Sequence, residues 1–350
     1  MRILEARNAH EALPWAIQEL NRYGIKRPSR NGPVIQMPEP YTTVYERPTE
    51  KVTFWKSRDY NIFFNIYEAL WMLSGRNDVA PLTRYVKDFG RYSDDGNTLH
   101  GAYGRRWRSH FGFDQLKVIA ERLTENQDDR RSVLSMWDAL CDLDRPGKDV
   151  PCNDMATFQI NTGRLDMVVF CRSNDMVWGT YFANAFHFGV LLEYMAAWIG
   201  VPVGTYTQVS VNFHAYTATL EPIQEIADFK GGLANYLETE KWPYVQTLPL
   251  VAGDIREFNR QREIVLKAAD EGVFGDGGTL TEPSLRLAYY LLNAHHIYKT
   301  VKDDSRYVRA FEVIGNAGYL DGLSADGVRN DWVKAAHIWI ERRREAHDAK

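Results

Sequence analysis

Between residues 132 and 213 the spacing of apolar residues changes from helical to alternating, which limits the chain to folds that build a sheet beside long helices. SVLSMW (132–137), ATFQI (156–160) and LDMVVFC (165–171) read as strands, and Asn161-Thr162-Gly163-Arg164 supplies the hairpin turn between the last two. An apolar stretch from Phe182 to Gly204 follows, interrupted by Asn184, His187 and Glu193, and then GTYTQVSVNF (204–213) as another strand. Small and aromatic residues broken by polar ones describe a buried helix of a soluble protein, not a membrane span.

The flanking segments complete an α+β pattern. Five prolines between residues 24 and 53 mark short strands and turns, and the spacing of Ile62, Phe63, Ile66, Tyr67, Leu70 and Leu73 predicts a helix stopped by Gly75. Further helices are expected over 79–90, 113–126 and 215–229, with Leu116, Ile119, Ala120 and Leu123 on the apolar face of the second. Residues 230–350 read as mainly helical. The fold class is α/β of the α+β type on a mixed sheet, with a domain over 1–230 and a helical C-terminal extension over 231–350 packed on it.

Composition removes several function classes. With 10 Trp, 19 Tyr and 16 Phe the chain is not a solvated coil. Its 42 basic against 46 acidic side chains leave a formal charge of −4, which argues against binding a nucleic acid by phosphate neutralisation. Three cysteines among 350 residues exclude a disulfide scaffold and suit a reducing compartment. The N-terminal MRILEARNAHEALPWAI is charged throughout and lacks a signal-peptide core, so a cytoplasmic protein is expected. No C-x-x-C, H-E-x-x-H, P-loop, G-x-G-x-x-G or G-x-S-x-G occurs, so no metal is expected, nor a Rossmann, NTPase or hydrolase site.

Four groups carry possible chemistry. Cys152, in VPCND, is a small buried hydrophobe or, beside backbone donors and arginines, a nucleophilic thiolate of lowered pKa. Cys141, in a polar loop, and Cys171, in an apolar strand, read as structural thiols. Arg130-Arg131 and Arg172-Ser173 flank Cys152 in sequence and offer the planar donors and hydroxyl that bind phosphate, or are solvated strand ends. Glu68, inside an apolar helix, is either paired or functional. His214 and Tyr216 offer hydrogen-bonding groups to a sugar, or cap a helix.

Taken in order, E-A-L-W-M-L-S-G (68–75), G-A-Y-G-R-R-W-R (101–108), D-R-R (129–131), P-C (151–152), R-S-N-D-x-x-x-G (172–179) and H-A-Y (214–216) resemble the thymidylate synthase superfamily over residues 20–230. The resemblance implies a three-layer fold and a homodimer packed sheet to sheet. It makes Cys152 the nucleophile that adds to C6 of a pyrimidine, Glu68 the acid organising proton transfer, and Tyr103 the hydroxyl that handles the C5 proton. Arg172 and Ser173 become phosphate ligands, Arg30 a further phosphate arginine, and Arg130 and Arg131 the pair that enters the partner's site. His214 and Tyr216 hold the sugar, with Asn174 also on the nucleotide side. Asp175 faces the folate, alongside Phe89, Gly179 and Phe182. The co-substrate implied is 5,10-methylenetetrahydrofolate; neither nucleic acid nor membrane is a partner.

Departures from the synthase pattern move the expected activity. Asn153 follows the cysteine where synthases carry histidine, and R-S-N-D resembles the wording of dCMP hydroxymethylases. An ungapped match puts Ala183 where synthases read uracil with asparagine, and Asn184 stands one place late. Phe89 and Tyr92 stand near the tryptophans that synthases use beside the folate, and the terminal EAHDAK does not resemble their apolar, site-closing terminus. A more open site favours water over hydride at the exocyclic methylene. The expected function is therefore a nucleoside monophosphate 5-hydroxymethylase acting on a cytidylate (dCMP or CMP). A thymidylate synthase or dUMP hydroxymethylase is the alternative, followed by a non-catalytic nucleotide-binding relative.

Overall fold

A computed structural model describes residues 1–229, 245–320 and 329–349. The boundary expected at residue 230 and parts of the expected extension, 231–244 and 321–328, lie outside them. The chain divides into two compact units, Met1–Thr53 with Trp71–Gly232 and Phe54–Leu70 with Leu233–Lys350.

The first unit is built on strands β1 (Arg2–Ala6), β2 (Ile25–Arg27), β3 (Val34–Gln36), β4 (Tyr41–Tyr45), β5 (Val133–Ser135), β6 (Asn153–Asn161), β7 (Arg164–Cys171), β8 (Asn174–Asp175), β9 (Val203–Ser210) and β10 (Phe213–Tyr216). A mixed six-stranded sheet runs in the order β1-β4-β9-β7-β6-β5, and a four-stranded sheet in the order β2-β3-β10-β8. The β6–β7 hairpin turns where the sequence places it. Thr162 and Gly163 take φ of 50° and 75°, the paired positive values that match a tight turn to the twist of its strands.

Helices of this unit are α1 (Ala9–Tyr23), the end of α2 (Ile62–Leu73), α3 (Tyr103–Arg105), α4 (Gln115–Glu125), α5 (Ala139–Asp142), α6 (Asn184–Ile199) and α7 (Thr217–Leu220). Helix α6 is the expected buried helix. It packs on β7 and β9, with α4 packed on it in turn, giving layers of sheet, helix and helix. Its Glu193 is tolerated because Lys51 forms an ion pair with it, both side chains being buried. Removing one member of such a pair costs about 3–5 kcal/mol. Helix α4 is capped by Asp114, which accepts from Lys117 N–H at 3.1 Å, and it buries Leu116, Ile119, Ala120 and Leu123 as its spacing predicts.

Three local expectations change. The helix expected over 79–90 is two short 3₁₀ turns, Leu82–Arg84 and Phe89–Tyr92. Asp78 anchors the chain before the first turn through Trp71 Nε1 at 3.0 Å and Arg76 Nε at 2.8 Å, and Gly90 inside the second turn weakens helix formation there. Cys141 belongs to α5 and not to a loop. The segment after His214 is the short α7 followed by a 3₁₀ stretch, Glu221–Asp228.

The second unit holds the first turns of α2 with α8 (Ile255–Glu271), α9 (Pro283–Thr300), α10 (Ser305–Leu320) and α11 (Asp331–Asp348), plus a two-stranded pair of β11 (Val245–Gln246) and β12 (Arg329–Asn330). Residues 54–70 are built into it. Phe63 meets Trp339 edge-on at 5.3 Å, Arg343 grips Asp59 through two bonds of 2.9 and 3.0 Å, and Tyr67 bonds Asp270. Glu345 to Asp348 continue α11. Among the described residues no helix is long and apolar enough to cross a membrane.

Candidate active site

Cys152 is fixed immediately before β6 by bonds that leave its thiol out. Its carbonyl accepts from Arg172 N–H at 3.0 Å. Its own N–H and that of Asn153 both donate to the Tyr103 hydroxyl, at 3.0 and 3.1 Å. The Tyr103 segment is anchored in turn: Gly101 N–H donates to Asp149 at 2.8 Å. A Cβ on Gly104 would fall 2.1 Å from the Met72 carbonyl oxygen, so only glycine allows this approach. A bulge at Asp154, whose carbonyl accepts from Met136 and Trp137 at 2.9 and 2.8 Å, shifts the β6–β7 register and brings Asn153 opposite Cys171.

The thiol is reached by solvent, yet the protein crowded around it pushes its pKa up. Asp149 and Asp154 act in the same direction, while Arg172 and Arg30 oppose them. Its Sγ lies 3.9 Å from the Val150 carbonyl, which favours S–H over thiolate. The expected lowering of the pKa is absent: burial outweighs the two arginines.

Two of the expected phosphate arginines flank this thiol. Arg172 donates from Nε to Pro151 O at 2.8 Å and from Nη2 to Val150 O at 3.2 Å, with Trp137 5.5 Å beneath its guanidinium. Arg30 donates to Gly147 O and Lys148 O at 3.0 and 3.2 Å. Both side chains are exposed and keep further N–H groups for an anion. Ser173 follows, half-buried. Arg130 and Arg131 stand exposed before β5, and Arg131 reaches Asp129 at 3.4 Å.

A chain of amides runs beside the cysteine. Asn153 Oδ1 accepts from the Cys171 thiol, and Asn153 Nδ2 faces Asn184 Oδ1 at 3.5 Å. Asn184 Nδ2 donates to Asn174 Oδ1 at 3.1 Å, and Asn174 Nδ2 to Ser210 Oγ at 3.0 Å. Asn184, the first residue of α6, takes this place, and Ala183 stays out of it; the preceding stretch Met176–Ala183 is of π type with a kink at Tyr181, and Asn184 N–H closes it on Gly179 O, five residues back. Gly179 is required beneath the chain, since a Cβ there would lie 2.4 Å from Asn174 Oδ1. Gly179→Ala is expected to displace Asn174, to cost roughly 1–3 kcal/mol and to lower nucleotide turnover at least about tenfold. Thermal melting and steady-state kinetics measure the two effects.

Asp175 caps the π-helix by accepting from Val177 N–H at 3.0 Å, and β8 pairs it with His214 of β10. His214 Nδ1 bonds Asn212 Oδ1 at 2.9 Å, and burial lowers its pKa, keeping the ring neutral. Tyr216 lies on the same face, its ring edge-on to His214 at 5.5 Å. Phe182 is 2% exposed and cannot present itself to a folate. Trp178, which meets Phe182 edge-on at 5.6 Å and was not among the expected site residues, is half exposed. Phe89 is half-buried against Tyr92 at 5.6 Å. Glu68 lies on α2, half-buried, with its carboxyl pushed up to about 8 by burial.

Among the described residues, His110, Asp138 and Cys141 converge, as do His100, Asp142 and Cys141. Within these groups His110 bonds Asp138 at 2.8 Å, and Arg106 clamps Asp142 at 2.6 and 2.9 Å.

Comparison with known proteins gives one family match and three relatives. The thymidylate synthase family model matches residues 16–230. The chain is 47% identical to a deoxyuridylate hydroxymethyltransferase of Pseudomonas phage M6, over 100% of this chain and 97% of the relative. It is 36% identical to a deoxyuridylate hydroxymethyltransferase of Bacillus phage SP01, over 61% of this chain and 59% of the relative. A putative thymidylate synthase of Methanothermobacter marburgensis is 33% identical over 41% of this chain and 63% of its own length.

Proposed function

The chain belongs to the thymidylate synthase family and is a one-carbon transferase of its hydroxymethylase branch; on that premise we propose that it converts dUMP into 5-hydroxymethyl-dUMP. The observation that carries the choice of base is the carboxamide of Asn184 in the amide chain beside Cys152. The cytidylate reading rested on the R-S-N-D wording and on Ala183, which has no group for a base. With Asn184 in the amide chain, a uracil edge has a partner, and the names of the two phage relatives support the same base.

In this reading Arg172, Ser173 and Arg30 hold the phosphate, and His214 and Tyr216 the sugar. That positions the ring over Cys152 by means of a part of the substrate remote from the reaction. Cys152 gives its thiol proton to the solvent that reaches it as its sulfur adds to C6, and the electron pair released at C5 attacks the methylene carbon of 5,10-methylenetetrahydrofolate, the co-substrate used by enzymes of this family. Loss of the C5 proton, with Tyr103 and Glu68 handling proton transfer, and departure of tetrahydrofolate leave an exocyclic methylene. Water adds to that carbon, and Cys152 leaves C6 as the ring double bond re-forms. The balance is dUMP, methylenetetrahydrofolate and water to 5-hydroxymethyl-dUMP and tetrahydrofolate. Asp175 and Trp178 serve the folate side.

The reading carries a homodimer with it. Val133, Met155, Val168, Phe170 and Val209 share the outer face of the large sheet and remain half to well exposed. An apolar sheet face of this kind suits packing against a second copy, which would bring Arg130 and Arg131 to the partner's phosphate.

Incubation with dUMP, dCMP or CMP plus methylenetetrahydrofolate tests the activity. The expected result is 5-hydroxymethyl-dUMP with tetrahydrofolate and no dihydrofolate. Production of dTMP with dihydrofolate would overturn the product, and preferred turnover of dCMP would overturn the base.

A further inference from the structure

We propose that Cys171, a buried thiol with no part in the covalent chemistry, is a positioning residue that decides which pyrimidine the site accepts. The proposal rests on the reading of Asn184 as the group that meets the base.

An asparagine can serve either base. Uracil offers an N–H donor at N3 and an acceptor at O4, whereas cytosine offers an acceptor at N3 and an amino donor at C4. Turning the carboxamide over exchanges one complement for the other, so a site that discriminates must fix the amide's orientation. Here the orientation is linked through five hydrogen bonds that share one direction. Gln208 Nε2 donates to Cys171 Sγ at 3.3 Å, and the Cys171 S–H donates to Asn153 Oδ1. Asn153 Nδ2 is then turned to Asn184 Oδ1 at 3.5 Å, Asn184 Nδ2 to Asn174 Oδ1 at 3.1 Å, and Asn174 Nδ2 to Ser210 Oγ at 3.0 Å.

The chain can run in only two directions, because each amide must show an oxygen to one neighbour and an NH₂ to the other. Gln208 decides between them. It is fully buried, and its Oε1 has no hydrogen-bond partner. Running the chain backwards would put its NH₂ in that unpartnered place, stranding donors where a single carbonyl is now stranded. Orphaned buried N–H groups are rarer in proteins than under-satisfied carbonyls. Cys171 is the link that passes this preference on: its thiol both accepts from Gln208 and donates to Asn153, and its burial keeps it protonated.

The test is the ratio of kcat/KM for dUMP to that for dCMP, read as tritium release from C5, in wild type, Cys171→Ala and Cys171→Ser. A ratio is unaffected by the fraction of enzyme that folds, and the same ratio of Kd values for the two nucleotides serves wherever turnover is too slow to read. Cys171→Ala is expected to change the ratio at least tenfold. Cys171→Ser, whose hydroxyl donates and accepts, is expected to restore it to within about threefold. Gln208→Met, at the end of the chain, is expected to move the ratio in the same direction as Cys171→Ala. An alanine variant with the wild-type ratio overturns the positioning role. A wild type that prefers dCMP overturns the dUMP reading instead, and the comparison between wild type and alanine variant still decides the role of Cys171.

Discussion

Cys152→Ala is expected to abolish exchange of tritium from C5 of dUMP into water, by a factor of about 10⁴ or more, while dUMP binds within a few-fold of wild type. The two halves of that expectation come from different atoms. Exchange needs a sulfur that adds to C6, because C5 becomes carbanionic only in the adduct. On the proposed reading binding rests on Arg172 and Arg30, whose side chains are held by the carbonyls of residues 147, 148, 150 and 151 and not by the thiol. Removing Sγ also leaves the two bonds from the Cys152 and Asn153 N–H groups to Tyr103 intact, so the loop keeps its shape. Tritium release and calorimetric titration with dUMP measure the two quantities. Exchange that persists in the alanine variant would refute the nucleophile assignment; joint loss of exchange and binding would point to a structural role for the thiol.

The surroundings of that thiol mark where the sequence stops being legible. The hairpin, the buried helix and the apolar stripe of α4 all follow from local period and turn chemistry, and they appear where the residues place them. Motif order marked Cys152, Arg172 and Tyr103, the turn at residues 29–32 offered Arg30, and the structure places these four around one loop. Three features depend on geometry that spacing does not carry. The first is the bulge at Asp154, which pairs Asn153 with Cys171; counting back from the turn at 161–164 without it would pair residue 154 instead. The second is the kinked turn over Met176–Ala183, after which Asn184 and not Ala183 enters the amide chain. The third is the thiol's pKa, which turned on how deeply the surrounding protein buries the sulfur. Each of these alters the chemistry by a single residue step or a single hydrogen bond.

The same geometry bears on why water is the expected final nucleophile. The stretch from Glu345 to Asp348 is helical in α11, and Lys56 meets Glu345 at 3.1 Å within the second unit. Trp178, half exposed in the stretch after Asp175, gives the first unit an aromatic surface that solvent reaches, on the side the proposed reading gives to the folate. Where solvent has access, addition of water to an exocyclic methylene competes with transfer of hydride.

Glu68→Gln is expected to lower kcat by roughly 10²–10⁴ with a much smaller change in KM, the range for loss of a positioned acid–base group. It should also change how stability varies with pH, and here the sign is informative. Burial raises the Glu68 carboxyl from an ordinary 4.5 to about 8. The folded protein therefore holds a proton that the unfolded chain releases above pH 4.5. The associated stability is complete below that pH and is lost as the pH rises towards 8, with a slope of at most about 1.4 kcal/mol per pH unit. Half-exposure of the side chain makes the real slope shallower. Glutamine mimics the protonated acid and cannot ionise, so the variant should melt close to wild type at pH 5 and above it at pH 8. Thermal melts at pH 5, 6.5 and 8, run beside kcat at each pH, separate the outcomes. A melting difference that is the same at every pH would show that Glu68 is ionised throughout, and a variant that keeps wild-type kcat would remove it from the chemistry.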